Sequence, residues 1–453
     1  MLTLQKAALI HSEMDRIFKE GESSFLSETN IQKTHKICKY MDSMNSLSTL
    51  FVKDDFSSEK FIKSLKIDDI EVIGYKSKKH ETYYCTSYYT RYYIDTEKIF
   101  ELSTPASFGK GSETIYDENI RKAFEVTADR ITIEEKSEDC FKDFFYYNFE
   151  KDLVPPGKKF VYKLYKMHIY KEGGKFERHK DTIHAPNHYA TLIISIPTEF
   201  KGGKLLLYEN RGDEIPIAEC DFKYYNLVMF LTDVEHEVTH VESGTRIVLQ
   251  YDVYLEDEDE NENEDENENE NDDEDNSECP YQKTNKEYLA TENYINNLKI
   301  EAETNILQEV IDFKEKYPDD EISFLLSREY PLTVDLECLK AGDRKLYNIL
   351  SRKYEINIGY VVNNFRSDYD SEFDYDERKR LKVMNYSDIE NFLNYINGNS
   401  EDKVKNSKNT HIFISGGSFH TLKSVDYIEH TGNEAAPAEY SYVSLVLNIK
   451  NKA

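Results

Sequence analysis

The sequence predicts a mainly β protein with flanking helices, an α+β arrangement in which a jelly roll (a double-stranded β-helix) is followed by a carboxy-terminal α+β lobe. Three observations carry that expectation. Short strand-like runs alternate with turn signals between Phe160 and Leu255. Apolar residues recur at helical spacing before residue 75 and again over 285–317. A tract of acidic residues and Asn, 256–278, lies between the β-rich region and the second helical one.

Taken in order, the amino terminus MLTLQKAALIHSEMDRIFKE reads as an amphipathic helix, with Leu9, Ile10, Met14 and Ile17 on one face. Its only apolar run, Ala7 to Ile10, is too short for a signal-peptide core. Ile37, Met41, Met44 and Leu47 repeat the helical spacing, and these helices are expected to cover a sheet. Between Tyr83 and Tyr93 the aromatic and Thr-rich YYCTSYYTRYY predicts a hairpin. The runs FVYKLYKMHIY, ATLIISIP, KLLLYE, YNLVMFL and TRIVLQYDVYL, punctuated by EGG, FKGG and NRGDE, then predict a sandwich or barrel, not a doubly wound α/β fold. Beyond the acidic tract, helical spacing over 285–317 and the strands EINIGYVV, THIFIS and YVSLVLNI predict a second lobe. The expected division is a helical and hairpin region 1–100 packing on the core, a jelly roll 101–255, an acidic linker 256–278 and a non-catalytic α+β lobe 279–453.

Composition narrows the partners. The chain of 453 residues is 39% hydrophobic, with 35 Tyr, 24 Phe and no Trp, enough for ordinary cores in two globular parts. Its formal net charge of −30 opposes phosphate backbones, which argues against nucleic acid as a partner. Much of that charge sits in EDEDENENEDENENENDDEDNSE, a run that repels itself and reads as a solvated tether. Six scattered cysteines without a C-x-x-C pair fit free thiols in a reducing compartment, the cytoplasm or nucleus. No stretch is long and apolar enough to span a bilayer, so no membrane partner is expected.

His179-Lys180-Asp181 presents an imidazole and a carboxylate two residues apart, hence on one side of an extended strand end. The motif alone is weak: 12 His and 87 acidic residues produce about two such pairs by chance. Three occur, His11/Glu13, His179/Asp181 and His240/Glu242. The surroundings single out the second. Upstream, Tyr170-Lys-Glu-Gly-Gly-Lys-Phe-Glu-Arg-His179 ends a strand and turns on paired glycines; downstream, Asp233-Val-Glu-His236 precedes Ser243-Gly-Thr-Arg246. Two His and one carboxylate on one face of a metal, with open positions opposite, is the non-haem iron arrangement. Arg246 opens the strand Arg-Ile-Val-Leu-Gln-Tyr and points inward, where a guanidinium needs an anion; a dicarboxylate cosubstrate supplies one. His184 and His188, flanking Pro186, are read as surface or substrate-facing loop residues and not a zinc pair, and His240 as a strand residue outside the metal shell.

With these residues in place, the chain resembles the prolyl 4-hydroxylase-like branch of the iron(II)/2-oxoglutarate-dependent dioxygenases. The matching motifs are Tyr170…Gly173-Gly174…His179-x-Asp181, Thr191-Leu-Ile-Ile-Ser195, Phe200-Lys-Gly-Gly203-x-Leu205 and His236-Glu-Val-x-x-Val-x-Ser-Gly244-x-Arg246, covering about residues 160–255. The resemblance implies His179, Asp181 and His236 as iron ligands, and Arg246 as partner of the distal carboxylate of 2-oxoglutarate with help from the Tyr170 hydroxyl. Ser195 stands where many relatives use Tyr as a further carboxylate partner. It also implies Fe(II), 2-oxoglutarate, O2 and ascorbate as cofactors, and hydroxylation of an unactivated C–H bond, with peptidyl proline of a protein or peptide as the leading substrate. A small-molecule or nucleic-acid oxygenase and a non-catalytic binding module with a retained jelly roll are the alternatives. The nucleic-acid demethylases usually carry a second Arg six residues after the first, where this chain has Asp252. Phe108-Gly-Lys-Gly-Ser-Glu-Thr-Ile-Tyr-Asp117…Arg121 is read as a substrate-proximal loop or packing segment, and Tyr427-Ile-Glu-His-Thr-Gly-Asn-Glu434 as a cap for the site mouth. His411, His420 and His430 lack an acid two positions on, so no second iron site is expected in the carboxy-terminal lobe.

Overall fold

The structure is a computed structural model; it describes residues 29–32, 36–45, 50–53, 61–81, 86–110, 113–135, 154, 157–208, 216, 218–222, 227–258, 305–331, 334–364, 380–384, 410–414 and 442–452. The amino-terminal helix around Leu9, the linker beyond residue 258 and the Tyr427–Glu434 segment lie outside the described residues. Those that are described form two units. The first strand and helix, β1 (Thr29–Gln32) and α1 (Lys36–Asn45), fall in the same unit as the residues from 305 onward, whereas residues 50–258 form the other. The expected 1–100 region is therefore divided near residue 50. The cause is register: β1 pairs in parallel with the strand Thr410–Ile414, a partner that no local pattern announces.

The 50–258 unit opens with β2 (Leu50–Lys53), β3 (Ile62–Ile67), β4 (Ile70–Glu81), β5 (Thr86–Ile94) and α2 (Thr96–Leu102). The aromatic run predicted to form a hairpin supplies β5, which pairs antiparallel with β4 from Ile73↔Ile94 to Glu81↔Thr86. Short strands follow: β6 (Thr104–Pro105), β7 (Phe108–Lys110), β8 (Glu113–Ile115), β9 (Arg121–Lys122), β10 (Phe124–Thr127) and β11 (Ile131–Glu135). Then come the strands of the jelly roll, β12 (Lys158–Tyr170), β13 (Lys175–His179), β14 (His188–Ile196), β15 (Phe200–Gly202), β16 (Leu205–Tyr208), β17 (Ala218–Cys220), β18 (Leu227–Leu231), β19 (Glu235–Val238), β20 (Val241–Gly244) and β21 (Arg246–Asp257). They make a seven-stranded sheet in the order β2-β18-β14-β21-β12-β10-β6 and a five-stranded sheet in the order β17-β16-β19-β13-β9. β14 is buried at all nine positions, so its run reads as continuously apolar instead of alternating. The five long runs read from sequence are β12, β14, β16, β18 and β21. The strands between them, β13, β15, β17, β19 and β20, escape a periodicity reading because each is short and carries a charged residue, whereas β16 (LLLY) and β18 (LVMFL) carry none.

Two glycines shape the turns that lead into the site. Gly244 has φ +82°, and a Cβ there would stand 2.2 Å from the Glu199 carbonyl. Gly203, at φ +62°, lies so close to the Arg246 stem that a Cβ would meet its Cδ at 3.1 Å.

The second unit is an α+β layer. Its sheet runs β1, β25 (Thr410–Ile414), β22 (Glu321–Pro331), β26 (Tyr442–Asn451), β23 (Tyr354–Asn364), β24 (Arg380–Met384). The helices α1, α3 (residues 305–316) and α4 (Ala341–Leu350) bring Ile37, Met41, Ile306, Val310, Leu346 and Ile349 into one core with Phe324, Phe413 and Leu447 of the strands. Among the described residues Cys220 is a buried free thiol, and no helix is long and apolar enough to cross a membrane.

Candidate active site

β13 and β19 are antiparallel neighbours in the smaller sheet, with His179 directly opposite His236. Asp181 follows just past the end of β13, so the i, i+2 relation brings its carboxylate to the same side as His179. All three side chains are buried, and their donor atoms lie within 4.8 Å of one another, a spread one ion can bridge. His236 Nε2 stands 3.7 Å from Asp181 Oδ1.

Their tautomers are set from behind. His179 Nδ1 donates to the Glu177 carbonyl at 2.7 Å, and His236 Nδ1 to the Val234 carbonyl at 3.0 Å. A carbonyl only accepts, so each Nδ1 carries a proton, which leaves Nε2 as the nitrogen that presents a lone pair in the neutral ring. Burial, reinforced by the neighbouring His236 ring and the Arg121 guanidinium, holds His179 well below the usual imidazole range, so it is neutral, the form that binds metal. Asp181 Oδ2 accepts from Thr191 Oγ1 of β14 at 2.5 Å, which fixes the carboxylate from the larger sheet.

Arg246 begins β21 directly across from Tyr170 at the end of β12. Both line the same cavity as His179, Asp181 and His236. The guanidinium is 1% exposed, and its Nε and Nη1 have no hydrogen-bond partner among the described residues. Its neighbours are aromatic faces, with the Tyr170 centroid at 5.1 Å and that of Phe222 at 4.7 Å from the guanidinium carbon. Burial lowers its pKa to about 10, so it remains charged at neutral pH. Ser195 is buried but does not line the cavity; its hydroxyl meets the Ile196 carbonyl at 3.4 Å, too short a side chain to stand in for Tyr.

A polar chain that no local pattern announces lies behind the candidate triad. Arg121 on β9 donates from Nη1 to the Ser107 carbonyl at 2.6 Å and from Nη2 to His168 Nδ1 at 3.0 Å; His168 Nε2 then donates to Gln250 Oε1 at 2.8 Å. The Arg121 guanidinium covers the Phe176 ring at 4.4 Å, and Phe176 stacks on the His179 imidazole at 3.6 Å. Arg121, His168 and Gln250 all reach the cavity wall. The segment ending at Arg121 was singled out by its glycines, but nothing local says that this Arg turns in to back a histidine 58 positions later.

The remaining histidines divide. His240 is exposed and outside the triad. His411 bonds Asp320 at 2.7 Å in the second unit. His188, read as a loop residue facing solvent or substrate, is instead buried at the start of β14 and groups with His184 and Asp252.

A jelly roll that collects two imidazoles and a carboxylate on one side of a cavity, with a buried cation at its wall, has the donor pattern of the facial-triad oxygenases. Residues 165–254 match the family model of the 2OG-Fe(II) oxygenase superfamily. No match was found among curated proteins. Solved structures similar to the chain include a Pseudomonas putida prolyl-4-hydroxylase (16% identity, 36% of this chain and 82% of that one, TM-score 0.23). A Trichoplax adhaerens prolyl hydroxylase bound to a hypoxia inducible factor oxygen degradation domain peptide is similar at 15% identity (35% and 74% covered, TM-score 0.24). A Burkholderia pseudomallei 2OG-Fe(II) oxygenase family oxidoreductase is similar at 11% (40% and 73%, TM-score 0.23). Likeness at this level carries nothing about substrate.

The residues present fit the two groups this superfamily implies. The convergent imidazoles and the oriented carboxylate suit a divalent iron, and the Arg246 nitrogens that lack a hydrogen-bond partner among the described residues suit a carboxylate.

Proposed function

We propose that this chain is an iron(II)- and 2-oxoglutarate-dependent dioxygenase that hydroxylates an unactivated C–H bond, with a protein or peptide as substrate and peptidyl proline as the first residue to test. The observation that carries the reading is Arg246, a buried guanidinium whose Nε and Nη1 have no hydrogen-bond partner among the described residues, in the wall of the cavity that also holds His179, Asp181 and His236. An uncompensated cation at 1% exposure is costly, and a dicarboxylate cosubstrate would offset that cost through a bidentate pair.

In this reading His179, Asp181 and His236 hold the iron, Arg246 anchors the far carboxylate of 2-oxoglutarate and Tyr170 packs beside that anchor. When bound, the metal with 2-oxoglutarate, O2 and ascorbate supplies the oxidising chemistry of the superfamily. The chain's own part is to orient the two imidazoles through the Glu177 and Val234 carbonyls, to orient Asp181 through Thr191, and to exclude water with Ile193, Phe230 and Val248. Peptidyl proline rests on the motif resemblance alone.

The test is succinate formation from 2-oxoglutarate by the purified protein with iron(II), ascorbate and O2, alone and with a Pro-rich peptide library. Succinate that disappears in His179→Ala supports the oxygenase, and stimulation by peptides supports a peptide substrate. No succinate under any condition would move the reading to a non-catalytic binding module.

A further inference from the structure

We infer that His184, His188 and Asp252 form a second metal site, for a zinc-class divalent ion, separate from the His179–Asp181–His236 cluster. Their donor atoms also converge within 4.8 Å, and the group is again two imidazoles and one carboxylate, a donor set suited to borderline divalent ions. His184 Nδ1 lies 2.6 Å from Asp252 Oδ2, and His188 Nε2 lies 3.6 Å from Asp252 Oδ1. Asp252 Oδ1 is buried and accepts no hydrogen bond among the described residues, although the side chain is 5% exposed. A carboxylate oxygen in that position is an acceptor waiting for a cation.

The surroundings are those of a supported ligand set. Tyr254 donates to Asp252 Oδ2 at 3.2 Å from the same face of β21, and its ring packs on His188 with centroids 5.1 Å apart. Tyr165 packs on His184 at 4.6 Å. Three protein ligands leave a position for water or another group.

The site adjoins the first one. Asp252 is the register partner of Thr191, the residue whose hydroxyl holds Asp181, and His184 sits on the loop that runs from Asp181 to β14. An ion here would tie that loop to β21. Two changes accompany binding: the proton shared by His184 and Asp252 leaves, and the His184 amide, now 3.3 Å from His188 Nδ1, turns away as that nitrogen takes the proton.

Metal content decides the matter, independently of turnover. Metal-free protein is loaded with excess zinc(II) or cobalt(II), desalted and analysed for metal per chain. Wild type should hold two equivalents, His179→Ala/Asp181→Ala one, and His184→Ala/His188→Ala one. In the His179→Ala/Asp181→Ala background the remaining cobalt should show d–d absorption that Asp252→Asn, a near-isosteric change, removes without altering the circular dichroism. One equivalent in wild type and none in His179→Ala/Asp181→Ala would overturn the second site and leave a hydrogen-bonded cluster. One equivalent in wild type that persists in His179→Ala/Asp181→Ala would instead count against the first.

Discussion

Arg246 is the residue at which function and stability are opposed. Its buried charge has aromatic neighbours but, among the described residues, no hydrogen-bond partner at two of its nitrogens, so Arg246→Met should leave the fold at least as stable as wild type in chemical denaturation. The same variant should bind 2-oxoglutarate about 100-fold more weakly in calorimetry with manganese(II) in place of iron, the loss of roughly 3 kcal/mol of charge-assisted hydrogen bonding. A variant that lost stability and kept affinity would remove the basis for the proposed anchor. Thr191 acts one step further out. Thr191→Val keeps the shape and deletes the 2.5 Å bond to Asp181, so metal affinity should fall about 10- to 100-fold while the fold persists. At this scale the sequence was informative: the triad and Arg246 could be picked from spacing and context, since strand periodicity places i and i+2 on one side. Arg121, His168 and Gln250 could not, because each comes from a different strand and they meet only in the folded cavity.

Among elements, the turns before β16 and β21 aim the site, and the β22 bulge shows how the second unit is pinned. Gly244→Ala would force an L side chain into φ +82° and against the Glu199 carbonyl, two positions from Arg246. It should cost about 1–3 kcal/mol in denaturation and lower 2-oxoglutarate affinity with it. In β22 the pairing with β26 shifts between Leu325 and Glu329, and Asp343 in the first turn of α4 receives the bonds of that stretch. It accepts from the backbone N–H of Ser327 at 2.8 Å and of Arg328 at 2.9 Å, and from the Tyr330 hydroxyl at 2.9 Å. Asp343→Ala strands these donors in a buried place, and roughly 3 kcal/mol or more should be lost from the unfolding free energy. The strands β23, β25 and β26 and the helices α1 and α3 were legible from apolar spacing; the bulge was not, since it depends on what Asp343 offers from another element.

For the molecule as a whole, ligand binding should report on the unit that contains the site. At about 100 times its Kd, 2-oxoglutarate with manganese(II) stabilises the protein that binds it by roughly 2.7 kcal/mol. Hydrogen exchange should slow in peptides from β13, β19 and β21, and the gain should be absent in His179→Ala/Asp181→Ala. Unchanged exchange in the wild-type protein would mean that these strands do not enclose the ligand. Sixteen of the 87 acidic residues fall within 256–278, so the net charge of −30 describes that tract as much as either unit.

The sequence by itself determined the β-rich class and the long strands of the jelly roll, and it pointed to His179, Asp181 and His236, whose donor atoms converge in the structure, because each rests on periodicity or short spacing that a linear chain displays. Only the tertiary structure decided that β1 and α1 belong with residues beyond 305, that Ser195 is kept out of the cavity, and that Asp252 meets two histidines more than 60 positions before it. Those are matters of strand register across long loops, and register follows from which faces bury together and not from any local preference.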